Sequence, residues 1–338
     1  MRIILDAMGS DSYPGPDVAG AVLAAREYGD EIVLVGDQAK IRAELAQHDV
    51  HGLPLSVKHA SQIVEMGESP AQAIKARPDS SVVVGMDLVR SGEAEAFVSA
   101  GNTGAVLAGA LLRLGRIKGI KRPGLTTPFP LPTGPIVLLD IGANVDCRPE
   151  YLYQFALMGS AYAERAMGKD RPRVAILSNG EEAGKGNALV KEAFHLLAES
   201  PLNFVGNVEP KELFAGQADV VVMDGFTGNI LVKSAEAVSK MLIGMIGKEI
   251  KSGPVTTLGG LLAKPAFGRV RAQLDPFNVG GAVLLGVKGV VIIGHGRSTG
   301  VAIKNAIRQA RLAVSGGLVP AIETGLAAFN PVTEAEES

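Results

Sequence analysis

Two stretches of this chain carry residue types at spacings that could do chemistry. One is a lysine set between glycines, Gly184-Lys185-Gly186, with Asn187 following. The other is Asp224-Gly225-Phe226-Thr227-Gly228-Asn229, which follows a β-branched run, Val220 to Val222. Flanking glycines let a backbone approach a ligand closely, and Lys185 adds a positive charge. Four further turns share the mixture of small residues and hydrogen-bond donors: Asp6 to Ser10 with Gly9, Ala100 to Gly104 with Asn102 and Thr103, Asp140 to Asn144, and Gly294 to Ser298 with His295. Amides, hydroxyls and the free N–H groups of helix starts, brought to one sheet edge, suit a small oxyanion such as phosphate. Each turn alone is equally an ordinary strand-to-helix connection that needs Gly and Asp for its geometry.

Other chemistries find less support. No Ser-His-Asp arrangement is evident: His48, His51 and His59 lie in the first third, His195 falls on a predicted helix, and only His295 sits in a turn. The single cysteine, Cys147, excludes a disulfide framework, has no nearby histidine and reads as a bystander thiol. Asp6, Asp146 and Asp224 could meet a divalent ion, but no D-x-D or H-x-x-x-H spacing accompanies them, so no metal and no cofactor are expected. Gly101 to Gly104 is not the three-glycine dinucleotide fingerprint.

The elements that must position these turns alternate. Predicted strands cover Ile3–Leu5, Glu31–Val35, Leu53–Val57, Ala96–Ser99, Leu125–Phe129, Ile136–Leu139, Val174–Leu177, Phe204–Val208, Val220–Met223 and Val290–Ile293. Predicted helices follow most of them. One has Asp17 as a candidate cap, one runs from Pro149 to Met167, and one starts near Thr227 or Asn229 as caps. The recurrence of strand, polar glycine turn and helix predicts an α/β fold with a Rossmann-like, largely parallel sheet covered by helices on both faces. The turns are expected to converge at one rim, at the carboxyl ends of the strands.

Composition bounds the rest. With 338 residues, 47% of them hydrophobic, the chain can build one large domain or two. Residues 1–330 read as one catalytic unit and 331–338 as an acidic tail. A net charge of −2 and 4% aromatic residues give no reason to expect nucleic acid. The N-terminus reaches Asp6 after three apolar residues, unlike a signal peptide, and no apolar run approaches the ~20 residues of a membrane span. A cytoplasmic protein is the expectation. Residues 230–272 break the pattern, with no strand signal and an apolar helical stripe containing Met241 and Met245. Seven basic residues, among them Lys240, Lys248, Lys251 and Lys264, face two acids there. With Leu262, they predict a protruding amphipathic helix pair: a dimer interface, or a contact for a membrane surface or an acidic partner.

Read together, Leu5–Gly9, Ser99–Ala105, Leu139–Asp146, Gly180–Asn187, Asn203–Glu209, Asp224–Asn229 and Gly289–Gly296 resemble the PlsX family, the acyl-acyl-carrier-protein:phosphate acyltransferases. The stretches run in family order through most of the chain. Departures are small: Ser10 where Gly is usual, Gly124 where Ala is usual, and Ala183 where an acid is common.

The resemblance implies a reaction in which inorganic phosphate attacks the thioester of a long-chain acyl-acyl carrier protein. Acyl phosphate is released for a glycerol-3-phosphate acyltransferase of phospholipid synthesis. It also implies a homodimer, an isopropylmalate-dehydrogenase-like sheet and peripheral membrane association. Carried onto this chain, Lys185 pairs with phosphate, Asn229 donates to the thioester oxygen, and Asp224 orients the donors. Gly9, Asn102, Thr103, Gly104, Asn144, Asn187, Thr227, Gly228 and His295 shape the substrate and phosphate pocket. Lys240, Met241, Met245, Lys248, Lys251, Leu262 and Lys264 make the membrane or carrier-protein contact. A phosphotransacetylase-like enzyme using acyl-coenzyme A remains the nearest alternative. A nicotinamide dehydrogenase fits the sheet but lacks the fingerprint, and a non-enzymatic membrane adaptor leaves the polar turns unexplained.

Overall fold

The structure, a computed structural model, describes residues 1–274 and 279–329. The expected acidic tail lies outside the described residues. Eleven strands are β1 (Arg2–Asp6), β2 (Glu31–Gly36), β3 (Leu55–His59), β4 (Ala96–Ser99), β5 (Gly124–Phe129), β6 (Ile136–Leu139), β7 (Val174–Leu177), β8 (Phe204–Val208), β9 (Val220–Val222), β10 (Ala282–Leu285) and β11 (Val290–Ile293). They form one sheet in the order β3-β2-β1-β4-β11-β10-β5-β6-β9-β7-β8.

Most pairings are parallel, as the alternating pattern predicts, but the centre is not. β10 pairs antiparallel with both β11 and β5, and β5 pairs antiparallel with β6. The sheet is therefore two parallel halves that run in opposite directions. Their carboxyl ends point in opposite directions, yet the register through β10 and β5 sets Leu139 at the end of β6 level with Ile292 at the end of β11. Carboxyl-end turns of both halves therefore meet at the seam, as expected, and not along one outer edge. Strand β10 was not legible in the sequence. Its antiparallel place is set by the short return from Leu285 to Val290, too short for the crossover that a parallel pair requires.

The strands are apolar on both faces because both faces are covered. Side chains alternate: Ile3 and Leu5 join one core cluster, Ile4 the other. On one face a single cluster spans both halves, from Leu5 and Leu34 to Val174 and Val222. On the opposite face the core is divided. One cluster includes Ile4, Phe97 and Ile293; the other includes Ile136, Leu138 and Val221.

Two helix starts differ from expectation. The first helix spans Gly15–Tyr28 with Pro14 at its cap position, and Asp17 lies buried in its first turn. The helix Gly225–Ile250 is capped by Asp224, whose carboxylate accepts from the Thr227 N–H, so Thr227 and Asn229 are helical residues and not caps. That helix and Pro254–Leu274 form the expected pair, broken at Ser252-Gly253-Pro254, with the second packed chiefly on the first.

The buried Asp17 has a consequence for stability. Its Oδ2 accepts from Ser10 Oγ at 2.6 Å, and its Oδ1 has no hydrogen-bond partner among the described residues. Burial pushes its pKa up to about 7, with a smaller push from Asp6 against the pull of Ser10. The unfolded value is near 3.8, so between these values the native state keeps a proton that the unfolded chain loses. The stability this contributes is full at low pH and is lost as pH rises towards 7. The denaturation midpoint of wild type, taken relative to Asp17→Asn, should fall from pH 5 to pH 7.5. A difference that stays constant over that range would show that Asp17 is charged throughout.

Candidate active site

In each half of the sheet a buried aspartate at a strand's carboxyl end holds the glycine turns in place. In the first half, Asp6 Oδ1 accepts from the Met8 N–H at 3.1 Å, and Oδ2 accepts from Ser99 Oγ at 2.7 Å. Ser99 Oγ accepts in turn from the Gly101 N–H at 3.0 Å. The two turns then touch: a Cβ on Gly9 would lie 2.8 Å from the Gly101 nitrogen. Gly104 packs on Pro70, leaving no room for a side chain. Asn102 caps the helix Thr103–Gly109 through Oδ1, and its Nδ2 donates to the Met66 carbonyl at 2.8 Å. Its amide is committed to the loop around Met66.

In the second half, Asp140 is wholly buried and accepts five hydrogen bonds. They come from the N–H groups of Leu125, Gly142, Ala143 and Asn144 and from Asn144 Nδ2. Burial raises its pKa, while these donors favour the charged form. Asn144 Nδ2 also reaches the Pro123 carbonyl at 2.8 Å, so Asn144 holds the turn together. Asp224 accepts from the Thr227 N–H at 2.8 Å and from Thr227 Oγ1 at 2.7 Å. The start of this helix lies directly on the Asp140 turn. Gly228 faces the Asp140 carbonyl, and a Cβ on Gly225 would lie 2.6 Å from the Asn144 carbonyl oxygen. Only glycine permits that approach. It carries Asn229 over the turn, where Nδ2 donates to the Ile141 carbonyl at 3.2 Å. Gly142, at φ +142°, lies under this amide.

A cleft of about 640 Å³ lies between the halves, on the face where the core is divided. Thr103, Gly294, His295 and Ser298 reach it from the first half, and Ile141, Gly142, Asn229 and Lys233 from the second. Of the expected pocket residues it thus gathers Thr103, His295 and Asn229. Gly9, Asn102, Gly104, Asn144, Asp224, Thr227 and Gly228 lie behind the lining and fix the backbone that carries it. Lys185 and Asn187 are not in the wall. Lys185 is exposed on the loop after β7 and forms no ion pair among the described residues, and Asn187 caps the helix Ala188–Ala198 by accepting from the Val190 N–H. That loop leaves from the same edge as Asp140 and Asp224.

Around the cleft, desolvation lowers the pKa of His295; Glu236 opposes the shift, and Arg297, Lys240 and Lys233 add to it. His295 is thus held towards the neutral imidazole. Ser298 is buried and its hydroxyl has no hydrogen-bond partner among the described residues. Burial pushes the Cys147 thiol up to about 12, which removes its use as a nucleophile. Among the described residues, no group of three or more His, Cys, Asp or Glu is placed to hold a metal ion.

The sequence reading missed most of the cleft's apolar wall. Leu125, Thr127 and Phe129 line it from alternate positions of β5, and Val232 and Glu236 follow Asn229 at helical spacing. The i, i+3, i+7 spacing after Asn229 was the available signal. It was masked by the stronger stripe further along the same helix.

Residues 1–320 match the family model described as "Fatty acid synthesis protein". The chain belongs to this family. Within it, the chain is 45% identical over 339 residues to a phosphate acyltransferase of Elusimicrobium minutum, an alignment covering 100% of this chain and 99% of that protein. It is 48% identical over 359 residues to a phosphate acyltransferase of Herpetosiphon aurantiacus, covering 96% and 98%. The fold is shared more widely. A phosphotransacetylase from Streptococcus pyogenes superposes with a TM-score of 0.61 at 20% identity, covering 96% of this chain and 94% of that one. EutD phosphotransacetylase from Staphylococcus aureus gives 0.57 at 17%, covering 92% and 94%.

The Asp140 turn gives a direct test of how the site is held. An amide at this position turns one acceptor oxygen into a donor facing donors. Asp140→Asn should cost roughly 3 kcal/mol of unfolding free energy, the range for breaking a buried hydrogen-bond network. Urea denaturation measures this, and a loss below about 0.5 kcal/mol would show that the turn does not depend on the carboxylate.

Proposed function

We propose that this acyltransferase moves a long-chain acyl group from acyl carrier protein to inorganic phosphate, giving acyl phosphate and free carrier protein for phospholipid synthesis. The observation that carries the reading is the near full-length identity to phosphate acyltransferases. The cleft is consistent with it: its wall combines polar side chains, among them Thr103, Asn229 and His295, with apolar ones, among them Leu125, Phe129 and Val232.

Phosphate is the nucleophile, so no serine or cysteine nucleophile is needed. A phosphate oxygen attacks the thioester carbon, a tetrahedral oxyanion forms, and the C–S bond breaks as the carbonyl is restored. The departing thiolate takes a proton from solvent; a thiol with a pKa of about 8.5 leaves readily. The enzyme's work is to hold the two reactants together and to stabilise the oxyanion. Asn229 supplies that hydrogen bond, held in place by Asp224, Thr227 and Gly228. Thr103 and His295 face it across the cleft. Lys185, on its glycine-flanked loop, supplies the positive charge for phosphate. Gly9, Asn102, Gly104, Asn144 and Asn187 keep the turns in register.

The helix pair supplies the contact with carrier protein or with an anionic membrane surface, and residues 1–330 act as one catalytic unit of a peripheral, cytoplasmic homodimer. Lys240, Met241, Met245, Lys248, Lys251, Leu262 and Lys264 are all exposed, with Met245 at 58% and Leu262 at 77%. None of the described helices is long and apolar enough to cross a membrane. A glycerol-3-phosphate acyltransferase consumes the product.

Acyl phosphate should be trapped as its hydroxamate when the enzyme meets palmitoyl-carrier protein and phosphate, faster than with palmitoyl-coenzyme A. The reverse preference would favour a phosphotransacetylase-like enzyme. Asn229→Ala and Lys185→Ala should each lower turnover about 100- to 1,000-fold, the usual cost of one oxyanion donor, with unchanged unfolding midpoints. Near-normal turnover in both removes these roles. Replacing Lys240, Lys248 and Lys251 by Glu should weaken co-sedimentation with anionic vesicles. Binding that is unchanged and insensitive to salt would assign the pair to a protein interface alone.

A further inference from the structure

We propose that the apolar arm of the cleft is the acyl-chain subsite, and that Phe129 and Phe214 close its far end and set the chain length accepted. The inference rests on the acyl-transfer reading above. Along β5, Leu125, Thr127 and Phe129 take alternate positions and all line the cleft. They span four residue steps, about 13 Å of strand at the usual rise. At the near end, the Leu125 N–H is tied to Asp140, whose turn carries the Ile141 carbonyl that holds Asn229. At the far end, the rings of Phe129 and Phe214 meet with centroids 5.9 Å apart and planes tilted by 58°. The arm therefore begins beside the oxyanion donor and ends at an aromatic wall.

The chemistry of the lining fits an alkyl chain. Beyond Asn229 the helix presents Val232 and Ala235 to the cleft, with Lys233, Glu236 and Ser239 on the same wall, and Pro130 and Leu131 complete the wall near Phe129. A thioester with its carbonyl at Asn229 would send its acyl chain along β5 towards Phe129 and Phe214. Each methylene moved out of water onto these side chains adds favourable transfer free energy, until the chain meets the ring pair. Past that point a longer chain must displace Phe214.

Phe214 is suited to be this stop. It ends the short helix Pro210–Phe214, which is fixed by a capping box between Glu209 and Glu212. Its ring has one side on Phe129 and is otherwise 41% exposed. Truncating it opens the arm to solvent without leaving a closed cavity in the core. Val232 lines the cleft one helical turn beyond Asn229, so a larger side chain there shortens the arm.

The test is the ratio of kcat/KM values for dodecanoyl-, palmitoyl- and stearoyl-carrier protein with phosphate. Phe214→Ala should shift the palmitoyl-to-dodecanoyl ratio upward by about tenfold, and Val232→Phe should shift the same ratio downward by about the same factor, the discrimination expected of a methylene-scale change in an apolar pocket. Opposite shifts in the two variants support the subsite. Uniform changes at every chain length, or none, overturn it even though acyl phosphate is formed. Failure of the wild-type enzyme to form acyl phosphate from any of the three overturns the acyl-transfer reading and this inference with it.

Discussion

The structure depends on the reversal of strand direction at the centre of the sheet. β10 and β5 join two parallel halves head to tail, so neither half can extend its core across the seam on both faces. On one face a single helical layer manages it. On the other face the two cores stop short of each other, and the gap is the cleft. An uninterrupted parallel sheet would place its ligand at a switch point along one edge. Here the site lies over the seam, and both halves contribute side chains to it.

What keeps those side chains in position is a set of carboxylates. Asp6, Asp140 and Asp224 each accept hydrogen bonds from the backbone of a glycine turn. A carboxylate can accept several N–H bonds at once, and in a buried site each is stronger than in water. The glycines complete the arrangement by omission. Gly225 and Gly228 allow a helix to begin on top of the Asp140 turn, and that contact presents Asn229 to the cleft. Many of the amides that looked suited to a ligand are instead occupied within the scaffold: Asn102 holds the loop at Met66, and Asn144 holds Asp140 and Pro123.

The helix Gly225–Ile250 joins two environments. Its first turns face the cleft through Asn229, Val232 and Glu236, while Met241, Leu242 and Met245 further along are exposed. The helix that follows exposes Val255, Leu258 and Leu262 in the same way. Such contiguous apolar exposure is unusual for a surface that meets only water. The cap at Asp224 ties this surface to the wall of the cleft through one continuous helix.

The sequence by itself determined the elements and their alternation. Val174–Leu177, Phe204–Val208, Ala96–Ser99 and Val290–Ile293 are short apolar runs between turn residues, and local composition is enough to place such strands. The glycine turns and the family resemblance were likewise visible in linear order. Strand direction was not, because a short apolar strand has the same pattern in either direction; β10 went unseen, and so did the opposed running of the two halves whose carboxyl-end turns meet at the cleft. Tertiary structure alone decided which polar residues reach the cleft. A side chain's hydrogen bonds depend on what lies across the fold, so Asn229 and Thr103 line the cleft while Asn102 and Asn144 serve as ties within the protein.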